Sequence, residues 1–154
     1  MSDTPGYELP FLLFGGFRTL IDRLHVELAR RGHPDVRPSY GFAMQAVGVQ
    51  GATASEIGRR LGVSKQAAGK TVERLEALGY AERADDPADA RRKIVRLTPH
   101  GVDALRKSAD IFDELRADWA RTVGAERMTA LEADLRKVAG PAAYRLDAAG
   151  WFTS

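Results

Sequence analysis

The segment from Thr53 to Leu97 constrains the fold most, because its hydrophobic period changes within it from helical to strand-like. It opens with Thr53-Ala-Ser-Glu-Ile-Gly-Arg-Arg-Leu-Gly-Val-Ser-Lys-Gln-Ala-Ala-Gly-Lys70. Thr53 and Glu56 have the spacing of a capping box: the threonine hydroxyl accepts from the Glu56 amide, and the glutamate reaches back. Ile57 and Leu61, four apart, give this short helix one buried stripe, and Gly62 supplies a turn. Ser64 caps a second helix whose Ala68, Val72, Leu75 and Leu78 face inward, and Gly79 ends it. Tyr80–Ala84 and Lys93–Leu97 then read as two short strands. The turn-rich, charged stretch Asp85-Asp86-Pro87-Ala88-Asp89-Ala90-Arg91-Arg92 joins them as an exposed hairpin tip.

Helices are expected on both sides of this module. Leu13, Phe17, Leu20, Leu24 and Leu28 form a helical stripe over Leu9–Arg31, widened by Phe11, Phe14 and Ile21, and Gly32 ends it. Ser39 begins another helix with Phe42, Met44 and Val47, closed by Gly48–Gly51. Thr98-Pro99 opens a long helix with Val102, Leu105, Ala109, Phe112, Leu115, Trp119 and Val123 turned inward. Gly124 breaks it, and a last helix runs over Ala125–Ala139 with Met128, Leu131, Leu135 and Val138, up to Pro141. The fold expected is mostly α with a small β-hairpin wing: a winged helix-turn-helix flanked by N- and C-terminal helices. Residues 1–154 make one domain, with residues 38–97 as a DNA-binding lobe and residues 9–32 and 98–147 as dimerisation helices. Apolar stripes at both ends of so short a chain are wider than one subunit needs, so the ends are expected to pack against a second copy.

Charge is unevenly placed. Residues 59–96 hold ten Lys/Arg against six Asp/Glu, while the rest of the chain holds 13 against 15. The positive excess therefore lies on the helix-turn-helix and hairpin. At the start of the second helix, Ser64, Lys65, Gln66, Gly69 and Lys70 present small and polar groups. A serine at a helix N-terminus suits phosphate, glutamine can bond an adenine edge twice, lysine can donate to guanine, and Gly69 permits close approach. Thr53, Ser55 and Arg74 join them as candidate DNA contacts. At the hairpin tip Asp89 and Arg91, two apart, can point the same way, so that the carboxylate orients the guanidinium. Such an arginine suits the narrow minor groove, and Arg92 and Lys93 suit phosphates. As a surface ion pair Asp89–Arg91 is worth well under about 1 kcal/mol, so its value lies in positioning.

Other chemistry finds little support. The chain has no cysteine, which excludes disulfides, thiolate zinc sites and a cysteine redox switch. No phosphate-binding glycine loop and no nucleophile elbow is present, so no catalytic residue is assigned and no enzyme is expected. His25, His33 and His100 have no metal-like spacing and read as surface or capping residues; no metal or cofactor is expected. Gly15-Gly16 reads as a close-packing site or kink, and Asp103, Asp110, Asp113, Glu114 and Asp118 as a solvated face. The apolar run near Pro10–Phe14 is too short to span a bilayer, and without a secretory leader the expected setting is the cytoplasm.

With the motifs Val72-Glu73-Arg74-Leu75-Glu76-Ala77-Leu78-Gly79-Tyr80, Asp86-Pro87-Ala88-Asp89-Ala90-Arg91 and Val95-Arg96-Leu97-Thr98-Pro99-His100-Gly101, the chain resembles the MarR (multiple antibiotic resistance regulator) family of transcription factors. The resemblance implies a homodimer on a pseudo-palindromic operator, often a repressor relieved by a small ligand. It puts Asp89 and Arg91 at the family's wing-tip Asp-x-Arg positions. Ala90 stands where many relatives have another arginine, which implies one wing phosphate contact fewer. It also implies an effector pocket between the dimerisation helices and the DNA-binding lobe, for which Phe14, Phe17, Arg18, Tyr40, Phe42, Phe112 and Trp119 are candidates. An arginine beside aromatics would suit an aromatic carboxylate, and the effector class expected is small, aromatic or phenolic. Ordinary core packing is the competing reading of each of these residues. The competing function is a winged-helix module for protein interaction or nonspecific DNA packaging.

Overall fold

The computed structural model describes residues 3–148; the extreme ends of the expected 1–154 domain lie outside them. The helices are α1 (Glu8–Arg30), α2 (Pro38–Val47), α3 (Ala54–Leu61) and α4 (Lys65–Ala77), then α5 (Pro99–Val123) and α6 (Ala125–Ala139). Strands β1 (Ala81–Asp86) and β2 (Asp89–Leu97) lie between α4 and α5, and a 3₁₀ turn over Gly140–Tyr144 follows α6. The local signals act where the sequence places them. Thr53 accepts from the Glu56 amide, Ser64 from Ala67 and Thr98 from Gly101, each satisfying an orphan donor of a first turn. Gly62, in the left-handed conformation at φ 69°, makes the turn between α3 and α4.

Half of the capping box is missing. The Glu56 carboxylate turns to Arg92 and Arg60 rather than back to its own helix start. The strands are longer than the expected Tyr80–Ala84 and Lys93–Leu97, because backbone pairing continues into the charged tip. The ladder runs from Ala81–Leu97 to Asp85–Lys93, then slips before Asp86–Asp89. Ala52 adds a short antiparallel bridge to Val95, with bonds of 3.0 and 2.8 Å.

The core centres on α2, whose Tyr40, Ala43, Met44, Ala46 and Val47 are all buried. Ile57, Leu61, Ala68, Val72 and Leu75 close on it from α3 and α4, and Val95 from the wing. On α5 the buried stripe is Gly101, Ala104, Ile111 and Leu115. The expected stripe was rotated: Val102, Ala109 and Val123 are exposed, and Leu105, Phe112 and Trp119 half-buried. Leu78 is also only half-buried. On α1 only Leu24 and Leu28 are fully buried, and on α6 only Met128.

Several polar residues belong to the packing. His33, expected at the surface, is 2% exposed and bonds both Tyr80 and Asp103. The exposed His100 stacks its ring on Tyr80 at 4.5 Å. The acidic face of α5 is partly an interface with α1, through Arg23–Asp118 and Arg31–Glu114, both at 2.7 Å. A Cβ at Gly16 would lie 3.1 Å from the Trp119 ring, so this glycine is a close-packing site, whereas Gly15 faces open space.

Candidate DNA-binding surface and effector cavity

The helix-turn-helix aims the N-terminus of α4 outward beside the wing. Lys65, Gln66 and Lys70 are exposed, and Gly69 is half-buried. Gln66, Lys70 and Arg74, at intervals of four, lie along one side of the helix. Between this helix start, the α3 cap and the wing runs a cleft of about 690 Å³. Thr53, Ser55, Lys65, Arg91, Arg92 and Lys93 line it, which brings half of the candidate contacts to one surface. Gln66, Gly69, Lys70 and Arg74 continue along α4 outside it, Ser64 caps that helix, and Asp89 holds the wing arginine. The hydroxyls of Thr53 and Ser64 accept capping bonds, so each keeps its own proton to donate to an incoming oxygen.

At the wing tip Asp89 Oδ1 accepts from the Arg91 amide at 3.0 Å and from its Nε at 3.3 Å. The arginine side chain is nonetheless 92% exposed. The carboxylate thus orients the stem while the guanidinium end stays open to a groove. Arg92 and Lys93 are less free than the sequence implied. Arg92 donates to Glu56 at 3.3 Å and lies 3.8 Å from Asp86. Lys93 pairs with Asp85 across the ladder, and its ammonium holds the Asp85 carboxyl below the usual carboxylate range. A phosphate would have to displace these carboxylates to engage either cation.

Two cleft cations were not foreseen. Arg59 faces the cleft from the last turn of α3, while its neighbour Arg60 turns away and donates to the Ala46 carbonyl at 2.6 Å. The Ile57–Leu61 stripe contained the signal, since position 59 lies on the opposite side of that helix. Arg83 lies on the wing wall, paired with Glu76 at 3.0 Å.

The seven candidate effector residues do not converge. Phe17, Phe42 and Phe112 line a cavity of about 140 Å³ between α1, α2 and α5. Arg18 lies outside it, 5.9 Å above the Phe14 ring. Tyr40 is a core residue of the lobe, and Trp119 packs on Gly16 beside a separate hollow walled by α1, α5 and α6. The polar groups at the cavity are instead His25, Gln45 and Ser108. His25 Nδ1 lies 2.7 Å from the Ile21 carbonyl and must donate to it. In the neutral ring Nε2 is then an acceptor, and it is buried without a partner, the one such side-chain atom among the described residues.

A sequence model described as the MarR family matches residues 36–92, from the start of the lobe into the wing. Over that segment the chain resembles the MarR family. Solved structures extend the likeness to nearly the whole chain. The S. aureus MepR–DNA complex is 20% identical over 86% of this chain and 96% of its own, with a TM-score of 0.65. Wild-type MarR from E. coli, in its apo form, is 21% identical over 89% and 98%, with a TM-score of 0.65. S. aureus MepR bound to ethidium bromide is 19% identical over 88% and 95%, with a TM-score of 0.60. A search of the curated proteins found no match. The fold is thus the one that these structures share, and among the described residues no helix is long and apolar enough to cross a membrane. Among the described residues no cluster of three or more His, Asp or Glu is placed to hold a metal ion.

Proposed function

We propose that the protein is a sequence-specific DNA-binding transcriptional regulator that works as a homodimer and as a ligand-responsive repressor. The observation behind the DNA reading is the cleft in which the α4 start and the Asp89-held Arg91 stand side by side. Cations and helix-start hydroxyls there suit phosphate, and the exposed Gln66 and Lys70 suit base edges. MepR, with the same fold, has been seen on DNA. Support for the dimer comes from the first half of α1, where Leu9, Phe11 and Leu12 are 61–71% exposed. Contiguous apolar surface of that kind marks an association site. Two recognition helices about 34–36 Å apart would then enter successive major grooves.

The effector reading rests on the Phe17–Phe42–Phe112 cavity, near the size that admits a single aromatic ring. A phenolic hydroxyl donating to His25 Nε2 would satisfy the buried nitrogen, whereas the aromatic carboxylate suggested by Arg18 would find no cation there. MepR has been seen with an aromatic cation, ethidium. The deciding experiment is selection of genomic fragments by the purified protein, followed by affinity measurements against salt. A sequence-specific component that survives high salt supports a regulator, whereas binding that is purely electrostatic and sequence-blind means packaging.

A further inference from the structure

Tyr80 is fully buried where four pieces of the molecule meet. Its amide bonds Leu75 near the end of α4, and its carbonyl accepts from Thr98 at the start of α5. It directly precedes β1, and a Cβ on Gly101 of α5 would come within 2.2 Å of its carbonyl oxygen. The seat of this residue therefore fixes the recognition helix and wing against α5.

Its hydroxyl lies 2.6 Å from Asp35 Oδ1 and 3.0 Å from His33 Nδ1. The other nitrogen of His33, Nε2, lies 2.7 Å from Asp103 Oδ2. A proton count settles the roles. Carboxylates only accept, so Tyr80 gives its single proton to Asp35 and shows His33 a lone pair. His33 must then donate from Nδ1 to Tyr80 and from Nε2 to Asp103, and only the imidazolium carries both protons. Charge agrees with the count. Asp103 has one ammonium beside it, Lys107 at 2.8 Å, which also donates to the Arg31 carbonyl, while no ion pair of Asp35 is found among the described residues. The Arg31 guanidinium is engaged with Glu114 and Glu27. His100 lays its ring over both His33 and Tyr80. A charged His33 supplies the second positive charge the two carboxylates need.

We infer that His33 is a doubly protonated positioning residue, and that loss of its second proton loosens Tyr80 and lowers DNA affinity as pH rises. With one proton left, His33 can keep its bond to Asp103 only by accepting at Nδ1. The Tyr80 proton must then turn from Asp35 to His33, so that the Asp35 bond is lost and one hydroxyl bond, to His33, is left between Tyr80 and the α1–α2 turn. The DNA readout rests on the function proposed above; the proton count does not.

Nitrogen NMR of the labelled full-length chain, with the three histidines assigned, tests the count directly. Both His33 ring nitrogens should carry protons at neutral pH in the free protein; a neutral ring there overturns the inference whether or not the protein binds DNA. Affinity for the duplex recovered by genomic selection should fall on the order of fivefold as the NMR signal reports loss of the second proton, a change within the usual span of coupling between sites. Tyr80→Phe keeps the buried ring and removes the hydroxyl, so it should flatten that slope. A slope unchanged in Tyr80→Phe, or absent from the wild type while His33 titrates, overturns the coupling.

Discussion

The winged helix-turn-helix lobe and the N-terminal half of α1 use apolar residues in opposite ways. In the lobe, Ile57, Val72, Leu75 and Val47 are fully buried on neighbours from the same chain. In α1, Phe11 and Leu12 are 71% and 65% exposed. The first region has a finished core, whereas the second has a face that water should not keep. The lobe's architecture therefore follows from its own sequence, while the outer helices take their meaning from what covers them. In the function proposed above, the lobe would read DNA and the outer helices would space two readers.

The largest effect that could break this contrast is in the lobe core. Ile57→Ala should cost about 3 kcal/mol by removing buried volume in a packed site, read as a fall in the denaturation midpoint. A loss under about 1 kcal/mol would mean that the lobe is not the tightly packed unit described. The matched change in α1, Phe11→Asp, should leave lobe stability nearly intact but yield monomers in sedimentation. Operator affinity should then drop by more than about tenfold, because each half-site is bound alone. Retention of the dimer would move the interface elsewhere.

Within the lobe the next effects concern DNA. Arg91→Ala should weaken operator binding by about 1–2 kcal/mol with no change in melting, since the side chain is almost fully exposed. Lys70→Ala should cost about 1–3 kcal/mol and alter sequence preference; equal weakening on all sequences would restrict Lys70 to phosphate. The smallest effect is a pH dependence of stability. Asp103 is held at about 2 by Lys107 first and His33 second, below its ordinary 3.8. Its folded value is depressed, so its contribution is present above the ordinary carboxylate range and fades as pH falls from about 4 toward 2. Asp103→Asn should flatten that part of the acid-unfolding curve.

The parts of the fold legible in the sequence are those with local causes. Thr53, Ser64 and Thr98 cap helices through bonds three residues long, and Gly62 turns the chain by its own conformation. The missed features depend on distant partners. The α5 stripe was misplaced because Ile111 and Ala104 are chosen by α1 and α2 rather than by spacing on α5 itself. His33 read as a surface residue because Tyr80 and Asp103 lie far along the chain. At the candidate site the α4 start and the Asp89–Arg91 pair were visible, being helical or two residues apart. The restraint of Arg92 by Glu56 spans 36 positions and was not visible. The effector cavity kept three of seven candidates, since aromatic residues give no sign of which wall they will join.

The central claim is that the cleft between α4 and the wing reads a DNA sequence. Its most direct test is the ratio of dissociation constants for the genome-selected duplex and a scrambled duplex of the same composition, at physiological salt. The account predicts that the selected duplex binds at least about a thousandfold more tightly, as specific regulators do. A ratio near one would contradict it.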